Sequence, residues 1–398
     1  MIMISEKMLA LGKKSSAIRE IFEYGKKRKA VIGEENVFDF SLGNPSVCPP
    51  PVVNETICKL VNEADPVSLH GYTSAPGDMD TRKAIAAYLS ETYGTDDTAD
   101  NIYMTVGAAA SLTVTLNAIV CEGDEVIVLT PYFPEYRVFT ESAGAKLIEV
   151  ACREGDFQID TEALASAVNE NTKAIIVNSP NNPTGVVFTE ESIKALADLL
   201  SAKEKEYCHP IYIISDEPYR ELVYGGVKVP YTANYYGNTV SCYSFSKSLS
   251  LPGERIGYIC VSKKCDEWKE LFFAVCGAGR ALGFVCAPSL MQKVIPYCVG
   301  KTSDISVYEK NRTLLYKELT AYGYECVSPD GAFYMFVKSF CPDASEFCEA
   351  AKKYELLLVP SDSFGVTGYV RISYCVTTEQ IERALPAFRA LAKDYGKI

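Results

Sequence analysis

The sequence predicts an α/β protein with a large domain over residues 45–295, built on a mainly parallel sheet, and a smaller α+β domain made of residues 1–44 and 296–398. Three observations predict it. Short β-branched apolar runs alternate with longer helical patterns through the middle of the chain, as strands joined by crossover helices do. The runs are continuously apolar rather than alternating, as in sheets buried on both faces. From about Lys301 the texture changes to long helices around two short strands.

In chain order, a helix is expected around Ser16–Arg28, joining the smaller domain. Strands are expected at Asn101–Val106, Glu125–Leu129, Lys146–Glu149, Ala174–Asn178, Ile211–Ser215, Thr239–Ser244 and Gly257–Val261. Helices fall between several of them, at Ala109–Val120, Tyr136–Ala143, Thr161–Ala167 and Glu190–Glu206. The smaller domain then takes a long helix over Ile305–Tyr322, strands around Ala332–Val337 and Tyr369–Ser373, and a C-terminal helix over Thr378–Lys393.

The net charge of −12, from 39 basic and 51 acidic residues, argues against a nucleic-acid or anionic-membrane surface, which needs a basic footprint. A local basic pocket for a small anion is compatible with it. The opening MIMISEKMLALGKK breaks its apolar residues with Ser5, Glu6 and Lys7 and is no secretory signal. No stretch approaches the roughly 18 apolar residues of a membrane span, so a cytoplasmic protein is expected. The 15 cysteines contain no CxxC and lie partly in apolar runs (Cys260, Cys276, Cys286), which reads as small buried hydrophobes in a reducing compartment. With His70 and His209 alone, and no paired spacing, no metal site is expected. A serine hydrolase would need one of those histidines and a GxSxG elbow, and that motif is missing.

The chemistry-bearing segments follow the strands. Lys247, in Ser244-Phe245-Ser246-Lys247, sits at a strand's carboxyl end among Ser, Tyr and Phe. Most lysines are solvated surface residues, but open α/β sheets place ligands at such ends. A desolvated lysine there can form a Schiff base. Arg255 comes eight residues on and, taken alone, reads as a salt-bridge partner. Asn178-Ser179-Pro180-Asn181-Asn182-Pro183-Thr184-Gly185 has the make-up of a turn. Asp216, in Ser215-Asp216-Glu217-Pro218-Tyr219, has the bland reading of a helix N-cap. The small residues of Thr105-Val106-Gly107-Ala108-Ala109-Ala110 let backbone amides and a helix start meet a phosphate.

As a set, TVGAA, PYFPEY, NSPNNPTG, SDEPYREL, SFSK with ERIG eight residues on, and YVRISY resemble the class I/II pyridoxal-phosphate-dependent aminotransferases of fold type I, aspartate-aminotransferase-like, across essentially the whole chain. The resemblance implies the cofactor pyridoxal 5′-phosphate. It implies that Lys247 holds the cofactor and shuttles the substrate proton, and that Asp216 pairs with the pyridine nitrogen. Asn182 and Tyr219 would bond the ring oxygen, and Phe133 would stack on the ring, although simple packing explains a phenylalanine too. Arg255, Ser244 and the amides of Ala108 and Ala109 would receive the phosphate. Tyr72 would reach the phosphate of a partner subunit, which implies a homodimer. Arg371, Asn182 and Gly43 would contact the substrate, with Arg371 clamping its α-carboxylate, although a glycine such as Gly43 also suits a plain turn.

The chain departs from the family pattern at several places. Alanines stand at 108 and 109 where a hydroxyl is common, and Ala109 cannot read a second substrate carboxylate as a basic residue there would. Arg280 lies near the position of a partner-subunit arginine with that role, with its register slipped by about two residues. Thr81 replaces the usual Leu before Arg82. The resemblance implies a ping-pong aminotransferase acting on an α-amino acid and a 2-oxo acid. The alternative is a C–S β-lyase of the same fold. A DNA-binding regulator on this fold would carry an extra N-terminal domain, for which there is no room before Gly43, and no nucleic-acid or membrane partner is expected.

Overall fold

The computed structural model describes residues 4–13 and 17–398, so Ser16, the expected start of the first long helix, lies outside the described residues. Among the described residues the strands run in chain order as β1 (Phe38–Asp39), β2 (Ile102–Thr105), β3 (Glu125–Thr130), β4 (Lys146–Ala151), β5 (Thr172–Asn178), β6 (Tyr212–Asp216), β7 (Thr239–Ser244), β8 (Gly257–Val261), β9 (Tyr334–Lys338), β10 (Leu356–Leu357), β11 (Val359–Pro360) and β12 (Tyr369–Ser373). Two compact units divide the chain. The larger holds Pro45–Ile305 and Asp330–Ala332; the smaller holds Met1–Asn44, Ser306–Pro329 and Phe333–Ile398.

The larger unit is built on a seven-stranded sheet in the order β2-β8-β7-β6-β5-β3-β4. Its inner strands β3 and β5 are apolar along most of their length because each face is covered, whereas the edge strand β4 exposes Lys146 and Ala151 and β7 alternates polar with apolar residues, departing from the continuous runs expected. Val126, Val128, Ala174, Ile176, Ile214 and Val240 face one core, which takes in Leu112, Leu116 and Ile119 from the helix Ala108–Ile119. Their neighbours Ile127, Leu129, Ile175, Val177 and Ile213 face the other, with Leu164, Ile193, Leu196 and Leu200 from the helices Thr161–Ala167 and Glu190–Tyr207. Strand side chains alternate sides, so an unbroken apolar run is what two buried faces demand. Thr189 caps the longer of these helices, accepting a hydrogen bond from Ser192 N, and Cys208 ends it in the left-handed conformation at φ 59°.

Four strand pairs, β3/β4, β3/β5, β5/β6 and β6/β7, are parallel, but β8 runs antiparallel to both β7 and β2. The segment between β7 and β8 contains only the four-residue helix Phe245–Ser248. Such a helix spans about 6 Å, too little to carry the chain back along the sheet for a parallel crossover, so the chain doubles back.

The helices Pro51–Glu63, Met79–Tyr93, Trp268–Ala281 and Ala344–Lys352 are additional to those the sequence predicts. Met79–Tyr93 carries little apolar periodicity, and Asp78 starts it by accepting from Thr81 N. Thr81 is itself buried, and its hydroxyl lies 2.6 Å from Gln292 O. A leucine there would leave that carbonyl without its donor.

In the smaller unit β9 pairs antiparallel with β12, β12 with β11, and β1 pairs parallel with β10. The strand expected from Ala332 starts at Tyr334, because Ala332 stands at φ 55° and bends the chain. The expected helices are Ala17–Ile32, Ser306–Ala321 and Thr378–Asp394. Cys242, Cys260, Cys265, Cys298, Cys348 and Cys375 are buried as expected, Cys276 and Cys286 are only half-buried, and Cys48, Cys58, Cys121 and Cys208 depart from the expectation and are exposed. Cys208 is a helix C-cap and Cys121 a turn residue, positions that face water whatever their side chain. Among the described residues no helix is long and apolar enough to cross a membrane.

Candidate active site

Strands β3, β5, β6 and β7 are mutually parallel, and β2 matches their direction because β8 is antiparallel to both β2 and β7. Their carboxyl ends therefore share one edge of the sheet. Gly107 and Ala108 follow β2, Phe133 and Tyr136 follow β3, Asn178 and Asn182 end and follow β5, Asp216 and Tyr219 end and follow β6, and Ser244 and Lys247 end and follow β7. Arg255 precedes β8, whose start lies at the same edge: Gly257 is paired with Ser244 and with Thr105. Ligands of open α/β sheets bind at such an edge.

Asp216 is a buried carboxyl of this edge, 5% exposed, next to the buried Glu217 and Arg220 pair. Its Oδ2 accepts the Tyr136 hydroxyl at 2.5 Å, and its Oδ1 is buried without a hydrogen-bond partner among the described residues. Desolvation pushes the carboxyl up to about 7; the Tyr136 hydrogen bond opposes this and the charge of Glu217 adds to it. The neighbouring Asn178 donates to Asp216 O at 2.9 Å and accepts from Asn182 N at 2.8 Å, so one side chain ties two strand ends together. Asn182 and Tyr219 are both buried. Phe133 stands edge-on to Tyr136, with ring centroids 5.7 Å apart.

A polar cradle lies beside it. Gly107, at φ 91°, precedes the helix Ala108–Ile119, whose first amides, those of Ala108 and Ala109, have no acceptor within the helix. A Cβ on Gly107 would come within 2.7 Å of Arg255 Nη2, and one on Gly257 would strike Tyr243 O. Ser244 Oγ lies 2.8 Å from Ser246 Oγ, and Arg255 Nη1 reaches Ser246 Oγ at 3.4 Å. Hydroxyls, a guanidinium and helix-start amides are the groups that anion sites are built from. Lys247 is half-buried in the short helix Phe245–Ser248.

In the smaller unit Arg371, on β12, is 2% exposed. Its Nη2 donates to Ser41 O at 2.6 Å, and its guanidinium packs against the rings of Tyr334 and Phe364, 4.6 and 5.2 Å from their centroids. Gly43 is a close approach rather than a turn requirement: a Cβ there would strike the Tyr334 hydroxyl.

Two expected residues lie exposed at the surface. Tyr72 is fully exposed. Arg280 is exposed in the last turn of Trp268–Ala281 and makes no ion pair among the described residues. The sequence reading had not singled out Tyr136, Asn178, Gly107 or Ser246. Tyr136 lies one helical turn from Phe133 within PYFPEY, and Ser246 lies inside SFSK, so both were within reach of the motifs.

The sequence model of the family "Aminotransferase class I and II" matches residues 35–388. The chain is 30% identical over 392 residues to the "Aromatic-amino-acid aminotransferase 2" of Thermococcus litoralis, covering 95% of this chain and 96% of that one. It is 31% identical over 391 residues to the "Probable aspartate aminotransferase" of Methanocaldococcus jannaschii, covering 94% and 96%. Among solved structures it is similar to an aminotransferase of Eubacterium rectale, at 56% identity, a TM-score of 0.98 and full coverage of both chains.

Proposed function

The chain belongs to the class I and II aminotransferases, and from that membership we propose how its own residues share the work. It is a pyridoxal-phosphate-dependent enzyme that moves an amino group between an α-amino acid and a 2-oxo acid. The fold is the aspartate-aminotransferase type, fold type I.

The residues at the sheet edge fit that cofactor. The observation that carries the reading is Asp216: a buried carboxylate whose Oδ1 lacks a partner needs a buried donor, and a protonated pyridine nitrogen is one. The cradle of Ser244, Arg255 and the amides of Ala108 and Ala109 suits the phosphate, and the space that a Cβ on Gly107 would fill is part of it. Bound pyridoxal phosphate supplies an electrophilic carbonyl carbon and a ring that accepts an electron pair.

In this reading Lys247 would hold the cofactor through Nζ, and once the substrate's amino group has taken its place there, the Lys247 amine would carry the proton from and to the substrate Cα. Asn182 and Tyr219 orient the ring through its oxygen, and Phe133 covers its face. Arg371 grips the α-carboxylate in a bidentate fork, and its fixed guanidinium, held by Ser41 O between two aromatic rings, supports this. Gly43 lies close by in the chain of the smaller unit, contacting Tyr334.

The protein works as a cytoplasmic homodimer in this proposal. Tyr72 is supplied to the partner's phosphate site, which its complete exposure in the single chain supports. The donor is aspartate-like, with Arg280 reading the second carboxylate, supported by the relatives named for aspartate. The relatives' names favour transamination over β-elimination. The test is a panel of amino donors mixed with the loaded enzyme in single turnover, read by conversion of the cofactor absorbance to that of pyridoxamine phosphate. Conversion by aspartate and glutamate well ahead of alanine is expected. Pyruvate release from cysteine or cystathionine without a 2-oxo acid would overturn the reading.

A further inference from the structure

We propose that Tyr136 is a positioning residue that keeps Asp216 ionised and leaves its Oδ1 as the acceptor for a ring N–H, an inference that rests on the reading of Asp216 given above. Asp216 faces a conflict. It must be anionic to hold a proton on the ring nitrogen, yet it sits where burial favours the neutral acid. In such a site a neutral acid bonded to an unprotonated ring competes with the ion pair. Among the described residues Tyr136, Glu217 and Cys242 interact with the carboxylate, and Tyr219 acts on Tyr136. Glu217 pushes the wrong way, although its own charge is matched by Arg220 at 2.7 Å and its Oε1 accepts from Ser215 and Ser241. The Tyr136 hydroxyl, at 2.5 Å from Oδ2, is the hydrogen bond that favours the anion.

Tyr136 is built to stay a donor. Burial raises its phenol far above the ordinary range, so it does not surrender the proton. Its ring is fixed by stacking on Tyr132, with centroids 6.3 Å apart, and by the edge contact with Phe133. Tyr132 aims its own hydroxyl elsewhere, at Glu149 Oε1, 2.6 Å away. By occupying Oδ2, Tyr136 also fixes which carboxylate oxygen remains open.

The test loads the enzyme with pyridoxal phosphate carrying nitrogen-15 in the ring and reads the nitrogen signal in the parent, Tyr136→Phe, Tyr136→Leu, Asp216→Asn and Tyr132→Phe. The parent should give the protonated signal. Both Tyr136 variants should move it toward the unprotonated reference and slow single-turnover proton transfer about 10–100-fold, the factor that one hydrogen bond to a charged group carries. Tyr132→Phe, which removes a hydroxyl from the same stack, should leave the signal in place. A parent-like signal in both Tyr136 variants, with Asp216→Asn still moving it, overturns this proposal alone. Equal movement in Tyr132→Phe reduces it to packing and overturns it as well. No movement in Asp216→Asn overturns the reading of Asp216 from which it starts.

Discussion

Arg255 Nη2 lies 2.7 Å from where a Cβ on Gly107 would stand, so the guanidinium fills the space that a side chain at position 107 would take. Gly107 is also at φ 91°, outside what a side chain adopts without strain. Gly107→Ala should therefore cost on the order of 1–3 kcal/mol and displace Arg255 from the cradle. Melting of the cofactor-free protein and the cofactor dissociation constant check it. A lower Tm with weaker binding is expected, and parent-like binding would remove the pair from the phosphate site.

Lys247 should be the covalent attachment point. Borohydride treatment of the loaded enzyme should fix the cofactor on the protein, and peptide mapping should find it in the segment Phe245–Ser248. Recovery of the label in any other peptide would end the assignment.

Asp216→Asn should leave cofactor binding largely intact and slow proton transfer by several orders of magnitude, because an unprotonated ring accepts electrons poorly. The cofactor-free protein offers a second readout. The folded carboxyl titrates at about 7 against an ordinary 3.8, so between those values the folded state holds more protons than the unfolded one. Stability from this group is thus lost as pH rises through that window, at up to about 1.4 kcal/mol per pH unit. Denaturant unfolding of the cofactor-free Asn variant should lack that slope; an unchanged slope would assign it to other groups.

Tyr72, wholly exposed in the single chain, should act in trans. Mixing inactive Tyr72→Phe and Lys247→Ala subunits should restore activity in one site of each mixed dimer. Exchange without recovery would confine Tyr72 to its own subunit or to no role.

Arg371→Ala should lower kcat/KM for every amino acid, since it removes a buried bidentate pair worth roughly 2–5 kcal/mol of binding. Arg280→Ala should act on aspartate and glutamate while sparing alanine. Equal effects on all three donors, or none, would exclude Arg280 as the reader of the second carboxylate.

The local chemistry of this chain is written in short stretches. Continuous apolar runs such as Ala174–Val177 and Val126–Leu129 state strands buried on both faces, because only that environment satisfies side chains pointing both ways. The segments after them carry Asn182, Asp216, Tyr219, Ser244 and Lys247, and their spacing was enough to recognise the family. The helix Met79–Tyr93 buries only a narrow stripe of Ile85, Ala86 and Leu89 beside the polar Thr81 and Arg82, too weak an apolar period to stand out in the sequence.

What the sequence by itself determined is therefore the order of the strands along the chain and the residue types at their ends. Tertiary structure alone decided which of those residues meet. The reversal of β8 depends on how far a four-residue helix can carry the chain, and it is what brings Arg255 beside Gly107. Tyr136 and Asp216 are 80 residues apart and touch only because β3 and β6 both stand parallel to β5, between them in the sheet. Arg371 and Ser41, 330 residues apart, are joined in the same way by the pairing of the smaller unit, where Ser373 N also bonds Phe40 O. Such contacts follow from register and packing over long sequence separations, and no local pattern of residues encodes them.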